Sequence, residues 1–345
     1  MSDRRAKPRR FVVISLAFTA AAILLLSVPF RAQAGDPRKP LPPSPGGIPP
    51  APQGKDSFRF VVISDSNASY GSIEQGPAVK KAVETVIALK PEFVCHAGDL
   101  IAGQQKGIPR EKLIQMWGGY HKAVTEPLKA AGIPLAPSPG NHDASIQPDR
   151  DVYGEEWRKA DLIPKLDFVE KSKWPYYYSF RWKNVLVLSL DAALTSMDGG
   201  QLGWMKGQLG AARGMALRFT VGHIPPSVLV TKEYGAKGHG TISPGDRIVT
   251  AMLEGGVNAA FFGHYHVYYK ARLNGLNFVG TGIIGTGQRR LEGEANTQPN
   301  SFIVVDVVKG EIAQCFALKG PSFRDIMNDA DLPAASGEYK RFDQK

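Results

Sequence analysis

Short apolar runs that break off abruptly into polar, glycine-containing loops set the pattern of this chain. Phe58-Arg59-Phe60-Val61-Val62-Ile63 is β-prone and gives way at once to Ser64-Asp65-Ser66-Asn67. A helical pattern follows, with Val79, Val83, Val86 and Ile87 on one face, and stops at Lys90-Pro91. Phe93-Val94-Cys95 reads as a second strand running into Gly98-Asp99. Much of Glu111 to Ala131 reads as a second amphipathic helix, and Ile133 to Leu135 as an extended piece leading to Gly140-Asn141-His142-Asp143. Such a β-α-β-α-β opening predicts parallel pairing with helices packed outside the sheet. Ser145–Lys173 shows no usable period and is read as a loop region that would carry selectivity.

Further along, the style changes to hairpins. Tyr176–Trp182 and Val185–Leu190 flank Lys183-Asn184, and Val267–Leu273 and Phe278–Thr281 flank Asn274-Gly275. Phe302–Val308 and Ile312–Leu318 flank Lys309-Gly310 in the same way. The two halves together predict an α/β (α+β) fold with two mixed sheets and helices on the outer faces.

The N-terminus differs from all of this. Residues 1–10 are basic, Phe11 to Phe30 is apolar apart from Ser15, Thr19 and Ser27, and Ala32-Gln33-Ala34 supplies small residues for a signal peptidase. Residues 1–34 are therefore expected to be a signal peptide cleaved after Ala34. The alternative is an uncleaved membrane anchor, since the run approaches the ~20 residues that span a bilayer. Either way the basic flank stays in the cytoplasm and the rest lies outside it, periplasmic or secreted. Contact with a membrane is expected only if the segment is uncleaved. Residues 36–55 hold eight prolines, so 35–55 is expected to be an extended Pro-rich linker and 56–345 the folded domain.

Composition narrows the classes. With 43% hydrophobic and 21% charged residues the 345-residue chain is globular, not disordered. Two cysteines, Cys95 and Cys315, exclude a disulfide framework and any CxxC zinc site, and leave one bridge open. Half of the formal charge of +10 falls in residues 1–34, and the rest is spread without a dense basic run. No nucleic-acid partner is expected.

The chemistry gathers in five clusters, each after an apolar run: Asp65-x-Asn67, Gly98-Asp99, Gly140-Asn141-His142-Asp143, Gly222-His223 and Gly263-His264-Tyr265-His266. Loops at strand ends converge on one edge of a sheet. Carboxylates, imidazoles and amide oxygens together suit divalent Mn, Fe or Zn. Singly, each cluster has a bland reading as a turn or a cap. In this order they resemble the signature of the calcineurin-like metallophosphoesterase superfamily, Asp-x-His, Gly-Asp, Gly-Asn-His-Asp/Glu, a lone His, then Gly-His-x-His.

The resemblance runs from about Phe58 to Thr281 and implies a four-layer αββα sandwich with two divalent metal ions at the sheet edge. One metal would be held by Asp65, Asn67, Asp99 and His266, the other by Asp99 as bridge with Asn141, His223 and His264. His142 would be the acid near the leaving group, oriented by Asp143. It also implies hydrolysis of phosphate mono- or diesters, on small-molecule or lipid-linked substrates, by attack of a metal-bridging hydroxide. The stretch from Ser64 to Gly71 resembles a bacterial branch in which Ser-Asp-x-Asn replaces Asp-x-His. Asn67, a neutral amide where the superfamily mostly has imidazole, sets up the alternative of a non-catalytic exported phosphoester-binding protein with a degenerate metal site. Ala102, three residues after Asp99, separates the chain from purple acid phosphatases, which carry a chromophoric tyrosine there.

Overall fold

Both faces of β1 (Phe58–Ile63) are buried, so this strand lies between two layers. On one face the Phe60 ring sits 5.3 Å from Phe219 and 6.0 Å from Phe261. On the other, Val61 and Ile63 join a separate apolar cluster with α1 (Pro77–Leu89) and α2 (Arg110–Tyr120). The computed structural model describes residues 35–230 and 240–344; the expected signal segment 1–34 and His239 lie outside these. Among the described residues no helix is long and apolar enough to cross a membrane.

Two large sheets result. In the first, β2 (Phe93–Ala97) pairs parallel with β1, and β3 (Leu135–Ser138) parallel with β2, as the opening pattern predicts. The second sheet begins with β4 (Asp167–Lys173), β5 (Tyr177–Trp182), β6 (Val185–Ser189), β7 (Leu217–Gly222) and β8 (Ala259–Phe262). It continues through β9 (Tyr268–Leu273) and β10 (Leu276–Thr281). The first sheet is completed by β11 (Ser301–Val308), β12 (Glu311–Lys319) and β13 (Asp325–Ile326), and the short β14 (Ala335–Ser336) and β15 (Tyr339–Arg341) extend the second. All three expected hairpins form as antiparallel pairs, β5 with β6, β9 with β10 and β11 with β12. Within the second sheet β6, β7 and β8 run parallel.

The outer layers follow from alternation. α2 continues through a π-helical turn (His121–Thr125) into α3 (Glu126–Ala130), and after α4 (Asn141–Ala144) comes α5 (Gln147–Arg158), which joins α1 and α2 on the first sheet. Thr220, next to inward-facing Phe219, instead meets Met252 of the last helix, so that α6 (Gly199–Ala211) and α7 (Gly245–Glu254) cover the second sheet. The layers are helices, sheet, sheet, helices: the expected sandwich. Cys95 and Cys315 are buried free thiols.

Residues 35–55 depart from the expected spacer. They form a strap laid on the body, with Leu41 buried and Gly35 N–H donating to Ala216 O at 2.7 Å. Prolines lack an N–H, so an extended Pro-rich segment offers mostly carbonyl acceptors. The body supplies the donors: Lys270 Nζ to Pro42 O at 2.7 Å, Asn277 Nδ2 to Lys39 O at 2.8 Å and Arg59 Nη2 to Pro49 O at 2.9 Å. Composition reports the stiffness of such a segment and is silent on what receives it.

Arg59 also forks onto Asp306, its cross-strand neighbour on β11, through Nε–Oδ1 at 2.7 Å and Nη2–Oδ2 at 2.8 Å, with both side chains almost fully buried. Asp306→Ala strands a buried guanidinium and is expected to lower stability by about 3–5 kcal/mol, read from the urea midpoint. The double change Arg59→Met with Asp306→Leu should recover most of that loss. A single-mutant loss under 1 kcal/mol would contradict the burial.

Candidate metal centre

β1, β2 and β3 of one sheet and β7 and β8 of the other end at the same edge of the sandwich, each releasing a short polar loop. From these come Asp65 and Asn67, Asp99, Asn141 at the head of α4, His223, and His264 with His266. Asp65, Asp99 and His223 present ligand atoms that all lie within 4.8 Å of one another, and all three are buried. His223 Nε2 is 3.2 Å from Asp99 Oδ2 and 2.9 Å from Asn141 Oδ1. His264 Nδ1 approaches the same amide oxygen at 2.9 Å. On the other side His266 Nε2 lies 3.1 Å from Asp65 Oδ1, and the buried Asn67 Oδ1 has no hydrogen-bond partner among the described residues.

This is a donor set turned inward on itself. The far nitrogens of two imidazoles are engaged, His223 Nδ1 on Ala97 O at 2.8 Å and His266 Nδ1 on Gly287 O at 2.6 Å. A ring nitrogen bonded to a carbonyl carries the proton, which leaves Nε2 of each as the electron-pair donor in the neutral ring. Several oxygens and nitrogens with few protons among them fit a cation.

The electrostatics agree. Burial alone would lower the His223 imidazole, but the Asp99 and Asp65 carboxylates outweigh it and push it up to about 9. The same carboxylates set up a negative field that attracts a metal cation. Burial raises both carboxyls, yet neighbouring imidazoles hold each below the ordinary range, His266 and His223 acting on Asp65, His223 and His142 on Asp99. His264 is pushed down to about 3 by burial and by His223, so its imidazole is neutral across the physiological range.

The backbone here is bent in a costly way. Asp65, Asp99, His264 and His266 all have left-handed φ, between 52° and 70°. Non-glycine residues in that region cost about 1–3 kcal/mol each and gather at functional sites. Two glycines allow the crowding. A Cβ on Gly98, whose φ is 86°, would sit 2.6 Å from the His223 ring. One on Gly263 would meet Ser64 Oγ at 2.1 Å.

A family model of the calcineurin-like phosphoesterases matches residues 58–268, the stretch that carries every one of these side chains. The chain belongs to that family. As a calcineurin-like phosphoesterase it is a metal-dependent hydrolase of phosphoester bonds. No curated protein matches it by sequence. Among solved structures, GAP50, the anchor in the inner membrane complex of Plasmodium, is similar with a TM-score of 0.53 at 13% identity, over 84% of this chain and 91% of that one. A dimetal phosphatase from Danio rerio gives a TM-score of 0.47 at 12% identity, over 76% of this chain and 98% of that one. At such identities the likeness concerns the fold.

One expected role in this phosphoesterase is corrected. Asp143 does not orient the His142 ring. As the third residue of α4 its carboxylate turns back to cap Gly140 N–H at 2.8 Å and accepts from Leu100 and Ile101 N–H at 2.9 Å each. It thereby fixes the loop that carries Asp99, while burial and the Asp99 charge push its carboxyl up to about 7. His142 itself stands at the rim, Nε2 3.7 Å from Asp99 Oδ2, with its backbone N–H on Asp99 Oδ1 at 2.9 Å.

Other side chains sort themselves. His96 bonds Ser66 Oγ at 3.2 Å beneath the centre and His121 bonds Thr125 Oγ1 at 3.0 Å in the π-helical turn, both buried and structural. Gln104 had no sequence signal, yet its Oε1 accepts from Asn141 Nδ2 at 2.9 Å and so turns the amide oxygen toward His223 and His264. Arg289 donates to His264 O at 2.8 Å and adds positive charge beside that imidazole.

Proposed function

We propose that this phosphoesterase is exported, holds two divalent cations of the Mn, Fe or Zn kind, and hydrolyses phosphate mono- or diesters of small molecules. The observation that carries the reading is the inward-facing donor set shared across Asp99. Asp65, Asn67, Asp99 and His266 would hold one cation, and Asp99, Asn141, His223 and His264 the other. Bound there, such cations offset the charge of a phosphoester and lower the pKa of water.

The chain's own residues do the rest. Gln104 and the carbonyls of Ala97 and Gly287 set the ligand atoms in place before anything binds, so little reorganisation is needed at reaction. His142, beside the centre but outside the donor set, is placed to hold a proton for the departing oxygen.

Exhaustive chelation is expected to abolish hydrolysis of nitrophenyl phosphate, and added Mn, Fe or Zn to restore it. Undiminished turnover after chelation would sink the reading. A panel of mono- and diesters on the reloaded protein then assigns the substrate class. Export rests on the basic and apolar pattern of residues 1–34, and mass spectrometry of the native N-terminus should find Gly35 first; an intact chain in the cytoplasm would end that half of the proposal.

A further inference from the structure

A proton donor must be held at a fixed angle, and among the described residues no hydrogen bond at the His142 ring does so. Its Nδ1 is buried with no hydrogen-bond partner among the described residues, and 3.7 Å from Nε2 to Asp99 Oδ2 exceeds hydrogen-bond reach. Asp143, its neighbour in sequence, is occupied by backbone N–H groups. An imidazole ordinarily takes its orientation from a bond at the nitrogen not used for chemistry. Among the described residues, one aromatic side chain stacks on this ring. Tyr70 lies over His142 with ring centroids 5.1 Å apart and 23° between the planes.

The support beneath Tyr70 is stiff, although its side chain is 57% exposed. Ser72 N–H closes a turn onto Ser69 O at 3.0 Å, and Gly71 occupies the third position with φ of 76°, where glycine is favoured. Gly71 N–H then donates to Ala102 O at 2.8 Å, tying the turn to the loop that begins with Asp99. His142 is referenced to that same loop through its N–H on Asp99 Oδ1. Tyr70 and His142 are therefore built on one frame, and their stack follows from two anchored backbones.

We propose that Tyr70 is a positioning residue, whose ring stacked on His142 holds the imidazole facing the leaving group. The inference rests on the phosphoesterase reading given above. In the step it serves, a hydroxide oxygen forms a new bond to phosphorus as the P–O bond to the leaving group breaks; that bond's electron pair stays on the leaving oxygen, and the His142 proton passes to it, giving hydrogen phosphate, the alcohol and a neutral imidazole. A misaligned ring delays that transfer only where the leaving oxygen needs the proton. The dependence on leaving group is thus the signature of positioning, and a general structural role would not produce it.

The test measures kcat/KM of the metal-loaded full chain on an alkyl phosphate and on nitrophenyl phosphate. Tyr70→Ala is expected to lose about 10–100-fold on the alkyl ester, the usual cost of removing a group that orients a functional residue, and much less on the nitrophenyl ester. Tyr70→Phe keeps the ring and should recover most of the loss. Tyr70→Ala should add nothing in a His142→Ala background, and bound metal should match the parent. Independently of turnover, NMR of the metal-free protein should show the His142 ring protons shifted upfield by the Tyr70 ring current, lost in Tyr70→Ala and kept in Tyr70→Phe. Equal fractional losses on both esters, a full loss persisting in the His142→Ala background, or an unshifted His142 ring in the parent would each overturn the inference. A parent that hydrolyses no phosphoester overturns the phosphoesterase reading itself. A parent whose His142→Ala variant is selective for leaving group while Tyr70→Ala is not overturns only the role of Tyr70.

Discussion

Asp99→Ala should lower kcat/KM by at least ~10²–10³-fold, the cost of removing a single preorganised electrostatic group from an active site, and should empty both cation positions. Asp99 stands between the two halves of the donor set, its ligand atom within 4.8 Å of those of both Asp65 and His223. Its Oδ2 faces His223 and its Oδ1 accepts the His142 N–H, so truncation removes a shared negative charge and frees the head of α4 at once. Asn67→Ala removes one neutral oxygen from one half, and should cost on the order of 10–100-fold in affinity for one cation only. Asn67→His should hold that cation as well or better, because imidazole is the stronger ligand for zinc or iron. The checks are metal content per chain and kcat/KM for the three variants side by side. Equal damage from the two alanine changes, or full metal in Asp99→Ala, would refute the shared-ligand assignment.

His142→Ala should retain its metal and split substrates by leaving group. General-acid help is worth ~10²–10⁴-fold and matters most when the departing oxygen is strongly basic. An alkyl phosphate should therefore lose activity across that range, while a nitrophenyl ester, whose phenolate leaves readily unprotonated, should lose far less. The geometry behind this is the separation of His142 from the ligand cluster, with its ring at the rim and only its backbone N–H bonded to Asp99. An identical fractional loss on both esters would argue against a proton donor, and loss of metal would make His142 a ligand.

The layers and the ends of the strands were legible in the sequence because each apolar run stops at a polar loop without transition. Ile63 is followed by Ser64-Asp65, Ala97 by Gly98-Asp99, and Phe262 by Gly263-His264. Turns such as Asn274-Gly275 fixed the hairpins for a similar local reason. The region 145–173 hid its helix and strand. β4 is an edge strand with no fully buried residue, so it needs no apolar face, and α5 carries buried Asp149 and Glu156 among its few apolar positions. Pattern reading registers burial only where burial is apolar.

Residue roles were less legible than residue positions. Asp143 adjoins His142 in sequence, but one helical turn sends their side chains to different tasks. Gln104 and Tyr70 meet the centre through loops whose course no local pattern encodes.

The strap also orders events in time. Gly35 to Pro50 is the first part of the described chain to be synthesised, yet apart from Arg59 its partners, among them Ala216, Asn258, Lys270, Asn277 and Asp329, lie far along the chain, with separations of up to 285 residues. Contacts so distant in sequence close late, after the loop-closure entropy of the intervening strands has been met. Seating of the N-terminal segment on Lys270 and Asp329 is therefore expected among the last steps of folding, after the second sheet has assembled.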